Sequence, residues 1–137
     1  MTKKYFLISH NEYAKGLKEA LEMIAGPQKN VASYCLMPGD FPDDIITKIA
    51  ASFNEEDEVV ILGDMAGGSM CNAAMKLSVL PNVVLVSGTN LPMAMEIILT
   101  QVTDREMING VIANIRGGMK TLSLELSIHH AEDELFG

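Results

Sequence analysis

The sequence predicts an α/β fold: an open, mostly parallel four-stranded sheet with helices on both faces and strand order 2-1-3-4. Two observations carry this. Short apolar runs alternate four times with stretches whose apolar residues recur every three or four positions. Those runs are continuous, as strands buried on both faces require. A third observation adds an edge. Leu122, Leu124 and Leu126 alternate with Ser123 and Glu125, a pattern that suits an edge or antiparallel strand and predicts a half-buried C-terminal strand at the sheet edge.

Each element follows from its local pattern. Residues 5–8 ("YFLI") are the first strand. From Asn11 the period changes, and Ala14, Leu17, Leu21 and Ile24 mark an amphipathic helix that Gly26-Pro27 ends. Residues 31–37 are the second strand, closed by Pro38-Gly39-Asp40. Pro42-Asp43-Asp44 is an acidic helix start, and Ile45, Ile46, Ile49 and Phe53 line that helix. Residues 58–62 ("EVVIL") are the third strand. The loop "GDMAGGS" follows, then a helix through Ala73, Ala74 and Met75 to about Val79. Residues 83–86 are the fourth strand, with 87–90 as its exit loop, and Pro92 suits the first turn of the next helix. Met107, Val111 and Ile115 mark a last helix, stopped by Gly117-Gly118.

Composition narrows the function classes. A chain of 137 residues suits one domain spanning 1–137, with the acidic stretch 128–137 as a solvated tail. Apolar residues make up 48 % of the chain, too many for a disordered one, and no run approaches the ~20 residues of a membrane span. The apolar stretch after Met1 is too short for a signal-peptide core, so a soluble cytoplasmic protein is expected. The net charge of −8, with no Lys/Arg cluster, argues against nucleic-acid binding. Cys35 and Cys71 lie in apolar surroundings and read as buried free thiols.

In open parallel sheets, ligands bind beyond the carboxyl ends of the strands. The loops there are 9–11, 38–40, 63–69 and 87–90. They hold His10, the one histidine outside the C-terminal stretch, and Asp64, one residue past the third strand run and its glycine. A carboxylate beside an imidazole binds one ring N–H, fixes the tautomer and leaves the other nitrogen nucleophilic. Gly67 and Gly68 allow close backbone approach to a ligand, and Ser69 reads as a helix N-cap at an anion site. The bland alternative is a capped turn with two flexible residues. A receiver domain would need an acidic pair where Ser9-His10 stands, and a serine hydrolase built on Ser69, His10 and Asp64 would need GxSxG. On the residues alone, a phosphorylated histidine and a non-catalytic regulatory or interaction module both stay open.

Four stretches then carry a resemblance. "LISHNEYAKGLKEALEMIAG", "MPGD", "VVILGDMAGGSMCNAA" and "VVLVSGTNLPMAMEIIL" together resemble the IIA domain of the mannose family of the sugar phosphotransferase system. The resemblance covers the chain from Tyr5 to about Leu124. It implies a phosphocarrier whose His10 accepts a phosphoryl group on Nε2 from the histidine protein HPr and passes it to a IIB component. Asp64 would orient the ring through Nδ1, and Gly67, Gly68 and Ser69 would contact the phosphoryl group. Neither metal nor cofactor is required. The membrane is met only through the IIC and IID transporter subunits, and a chain end at Gly137 implies a separate IIB chain. The final strand would be exchanged across a homodimer. Two positions depart from the family: Asn11 replaces a glycine, and Met70 replaces a proline. Asn11, Met65, Ala66, Met70 and Asn90 would form the docking rim, while Met75 reads as a core residue. The phosphocarrier subunit of a dihydroxyacetone kinase shares the fold and the histidine but differs in the loop after the third strand, and it ranks second.

Overall fold

The computed structural model describes residues 2–124. The elements run β1 Lys3–His10, α1 Tyr13–Ala25, β2 Val31–Leu36, α2 Pro42–Ala51, β3 Glu58–Gly63, α3 Ser69–Ala74, β4 Val83–Val86, α4 Leu91–Leu99 and α5 Arg105–Gly118. The strands form one sheet in the order β2-β1-β3-β4, with every pairing parallel. No helix among the described residues is long and apolar enough to cross a membrane.

Strand alternation builds two cores. Tyr5, Leu7, Val60, Leu62 and Val86 point to one face and pack on Ala14, Leu17 and Leu21 of α1, Ile97 and Ile98 of α4, and Ile108 and Val111 of α5. Phe6, Ile8, Val59, Ile61 and Val83 point to the other face and meet Ile45, Ile46 and Ile49 of α2 and Met70, Ala73 and Ala74 of α3. Side chains on both faces of the central strands leave water, which explains the unbroken apolar runs of β1 and β3. The register sets His10 opposite Leu36, and Ile8 opposite Gly63. The residues after β1 and β3 therefore emerge side by side at the carboxyl edge.

Several boundaries differ from expectation. α3 stops at Ala74, after which backbone bonds run three residues back, from Leu77 to Ala74 and from Leu80 to Leu77. That tightening turns Leu77 into the core and leaves Met75 exposed, so Met75 is not the core residue expected. Phe53 lies beyond the end of α2, and Ile24 in the last turn of α1 is exposed. In α5 the buried face is Ile108 and Val111, with Ile112 and Ile115 packed beside it, while Met107 is exposed. Spacings of three and four keep that set on one stripe, whereas two successive steps of four, from Met107 to Ile115, drift across it.

The expected edge strand is absent over its described part. Residues 119–124 form neither helix nor strand, and Leu122 and Leu124 are 85 % and 92 % exposed. Among the described residues they meet no apolar surface to hold an alternating strand. Glu125, Leu126 and the acidic stretch 128–137 lie outside the described residues.

Two glycines give opposite predictions. A Cβ at Gly63 would run into the Cys71 thiol and stand 3.3 Å from the Val86 carbonyl oxygen. Gly63→Ala should destabilise by roughly 1–3 kcal/mol, the usual cost of overpacking. Gly16 lies inside α1 with open space around its Cα. Gly16→Ala should stabilise by roughly 0.5–1 kcal/mol, because alanine restricts the unfolded chain and suits the helix. Chemical denaturation of both variants checks the pair.

Candidate functional site

The site is assembled by the ends of β1 and β3 and the start of α3. His10 is the last residue of β1 and its side chain is 44 % exposed; the Asp64 side chain, just past β3, is 13 % exposed. One carboxylate oxygen, Asp64 Oδ2, accepts twice from His10. The backbone N–H lies 2.9 Å away and ring Nδ1 lies 2.8 Å away. The other oxygen, Oδ1, accepts from the Met65 amide at 2.9 Å. Backbone and ring of the histidine are thus clamped to one atom.

That clamp decides the ring chemistry. An ionised carboxylate only accepts, so Nδ1 carries the proton and Nε2 keeps a lone pair in the neutral ring. Ser69 Oγ stands 3.0 Å from Nε2, and its hydroxyl donates to that lone pair at rest. Burial pushes the Asp64 carboxyl up, but bonds from the His10 amide, His10 Nδ1 and the Met65 amide outweigh it. Its pKa lies below the ordinary aspartate value.

The glycines act differently from each other. Gly67 has φ +81°, so it needs glycine for its backbone angle, with open space around it. Gly68 has an ordinary φ of −76° and needs glycine for proximity. A Cβ there would lie 2.8 Å from His10 Cε1 and 3.0 Å from Met65 Cγ. The imidazole therefore rests flush against the backbone that opens α3. Asn72 braces this loop from behind, its Nδ2 donating to the Gly67 carbonyl at 3.3 Å.

The expected site residues separate into three groups. His10, Asp64, Gly68 and Ser69 come together, with Gly67 in the same loop. Ser69 is the first helical residue rather than the N-cap; Gly68 holds the cap position, and the Ser69 hydroxyl is directed to His10 instead. Asn11, Met65 and Ala66 are exposed beside them. Asn11 has φ +50°, the left-handed region, which accounts for asparagine where glycine was expected. One rim assignment is corrected. Met70 is fully buried in the α2–α3 core, because the helix phase places it with Ala73 and Ala74 on the inner face. Asn90 is the N-cap of α4, its Oδ1 accepting from the Met93 amide at 3.0 Å. Cys71 is buried and Cys35 half-buried, both free.

Two neighbours escaped the sequence reading. Ser9 is fully buried, its hydroxyl bonded to the turn that follows His10. Its signal was a small polar residue closing an apolar strand. Tyr13 donates its hydroxyl to the Thr89 carbonyl at 2.7 Å and ties the start of α1 to the β4–α4 loop. No spacing rule announces that contact.

Gly68→Ala should leave the fold intact but move the His10 ring, with reactivity of Nε2 falling roughly a hundredfold, as expected for a displacement near 1 Å. Ring chemical shifts and single-turnover modification of His10 check it. An acid with a depressed folded pKa adds stability above its unfolded pKa, about 3.9, and loses it as pH falls through the folded value. The stability advantage of wild type over Asp64→Asn should therefore be present at neutral pH and close in the acid range below about pH 4. Urea titrations across pH measure it.

The family described as "PTS system fructose IIA component" matches residues 4–116. The mannose-specific EIIAB component of Escherichia coli (strain K12) is 30 % identical over 129 residues, covering 89 % of this chain and 40 % of that protein. The chain thus spans well under half the length of that relative. The sorbose-specific EIIA component of Klebsiella pneumoniae is 31 % identical over 98 residues, covering 69 % of this chain and 72 % of the relative. Among solved structures, the mannose/sorbose-specific IIA subunit from Enterococcus faecalis superposes with a TM-score of 0.78 at 28 % identity, covering 93 % of this chain and all of that one. A strand-end histidine clamped by an aspartate, in a chain matched from residue 4 to 116, places this protein in the mannose-type IIA family of the sugar phosphotransferase system.

Proposed function

We propose that the chain is a phosphocarrier of a phosphoenolpyruvate-dependent sugar phosphotransferase system. His10 takes a phosphoryl group from phospho-HPr and passes it to a IIB component, which serves sugar uptake through membrane subunits. One ring divides the labour, and this carries the reading: Nδ1 is held by Asp64 at 2.8 Å, Nε2 faces the Ser69 hydroxyl at 3.0 Å, and Cε1 lies against Gly68. The names of the mannose- and sorbose-specific relatives support the sugar system.

The transfer balances simply. The Nε2 lone pair attacks phosphorus as the donor's N–P bond breaks, and that bonding pair returns to the donor imidazole. The Nδ1 proton stays on the His10 ring, and Asp64 offsets the positive charge that the phosphorylated ring acquires. Ser69 Oγ releases Nε2 and donates to a phosphoryl oxygen instead. Phosphoryl transfer of this kind needs positioning and charge stabilisation rather than further covalent chemistry. The reverse sequence delivers the group to IIB.

Exposed Asn11, Met65 and Ala66 form the docking rim, and Met65 at 54 % exposure supplies an adaptable apolar contact. The net charge of −8 favours approach of a basic partner face, at a rate that falls with salt. A homodimer is part of the proposal: exposed Leu122 and Leu124 offer an alternating strand to a second copy, and β4 pairs only with β3 among the described residues. The cytoplasm is the compartment where HPr would meet it.

The test is label transfer from phosphoenolpyruvate. Label should appear only with Enzyme I and HPr present, should be acid-labile and should be absent in His10→Ala. Label retained in that variant overturns the assignment, and a chain that takes none from HPr is better read as a regulatory module.

A further inference from the structure

The turn between β1 and α1 must do something costly. His10 is held in the sheet opposite Leu36, and α1 begins at Tyr13. Only Asn11 and Glu12 reverse the chain between them, and Asn11 does so at φ +50°, a region that residues with a Cβ enter at a cost. The N-cap residue Glu12 makes no side-chain cap bond. The missing cap is supplied from the strand. Ser9 is fully buried; its Oγ accepts from the Ala14 amide at 2.7 Å and donates to the Asn11 carbonyl at 3.1 Å. One hydroxyl thus uses both its donor and an acceptor across the turn. Asn11 adds its own Oδ1 as acceptor for the Glu12 amide at 2.9 Å, and its N–H donates to the Leu36 carbonyl at 2.8 Å.

We propose that Ser9 is the positioning residue of the His10 site: its buried hydroxyl locks the left-handed turn at Asn11 and so aims both the amide and the ring of His10 at Asp64 Oδ2. Ser9 and His10 point to opposite faces of the sheet, so Ser9 touches no reacting group and acts only through the backbone. Without the hydroxyl, the Ala14 amide, on a buried residue, loses its acceptor and the Asn11 carbonyl its donor. The turn can then relax toward negative φ at Asn11. Any such rotation swings the His10 peptide, and two bonds to a single oxygen cannot both follow. The same view explains Asn11: an asparagine can replace glycine here because its side chain and the Ser9 hydroxyl together hold the left-handed angle.

The proposal rests on the phosphocarrier reading only for its activity arm. The experiment compares Ser9→Ala, Ser9→Val and Ser9→Thr in the full chain. Valine and threonine have nearly the same shape, so their difference isolates the hydroxyl. The first readout is the His10 Nδ1–H resonance, which depends on the bond to Asp64. It should be sharp in wild type and Ser9→Thr and exchange-broadened in Ser9→Ala and Ser9→Val. The second is phosphoryl acceptance from phospho-HPr. kcat should fall roughly tenfold or more in the alanine and valine variants, with KM little changed, as for a misaimed nucleophile behind an intact docking surface. Should the valine variant not fold, the alanine variant carries the comparison. A hydroxyl-free variant that keeps both a sharp Nδ1–H signal and the wild-type rate overturns the proposal. If wild type accepts nothing from HPr, the phosphocarrier reading fails, and the resonance comparison still decides the role of Ser9.

Discussion

The architecture depends on one oxygen atom. Asp64 Oδ2 accepts from the His10 backbone and from the His10 ring, and those two bonds fix where the imidazole stands and which nitrogen carries its proton. A side chain that is 44 % exposed would otherwise sample several rotamers. The clamp replaces that freedom with a single orientation, and the second oxygen is itself anchored by the Met65 amide. The carboxylate is mostly shielded, so these hydrogen bonds act in a weaker dielectric than water supplies. Its pKa stays low despite burial because three donors converge on it.

The rest of the fold makes that clamp available. Parallel pairing of β1 with β3 sets Ile8 beside Gly63, so the residue two beyond one and the residue one beyond the other meet at the same edge. Close packing then brings up the third party. Gly63 admits the Cys71 thiol, which lets α3 lie against the strand, and Gly68 admits the imidazole, which lets the ring reach Ser69. Both glycines serve proximity, whereas Gly67 serves a backbone angle. The sheet divides the core below into two packed faces, so the strand ends that carry His10 and lead into Asp64 are firmly held, and Asn72 braces the loop from there to α3.

Parts of this arrangement were legible in the sequence and parts were not. The strands were readable because a strand buried on both faces has no choice but continuous apolar residues. His10 and Asp64 were readable because parallel topology sends strand ends to one edge. Short helices and turns were harder. Met70, Ala73, Ala74 and Leu77 share one helical face, and that spacing outweighs the expectation that a residue beside a functional loop faces outward. Asn90 also caps α4 ahead of Pro92, a use of its side chain that the sequence reading did not assign. Ser69 looked like a cap and is a partner of His10. Ser9 left one faint sign, a small polar residue closing an apolar strand, and its bonds across the turn exist only once Asn11 adopts a left-handed angle. The C-terminal alternation of Leu122 and Leu124 states a wish to be half buried that a single chain does not meet over the described residues.

With the proton kept on Nδ1 by Asp64, Nε2 is the nitrogen that the proposed phosphoryl transfer would use. The most direct measurement is nitrogen–phosphorus coupling by NMR in the phosphorylated, 15N-histidine-labelled protein. Phosphorus should couple to Nε2 of His10, with the Nδ1 proton retained. Phosphorus on Nδ1, or on any residue other than His10, would contradict it.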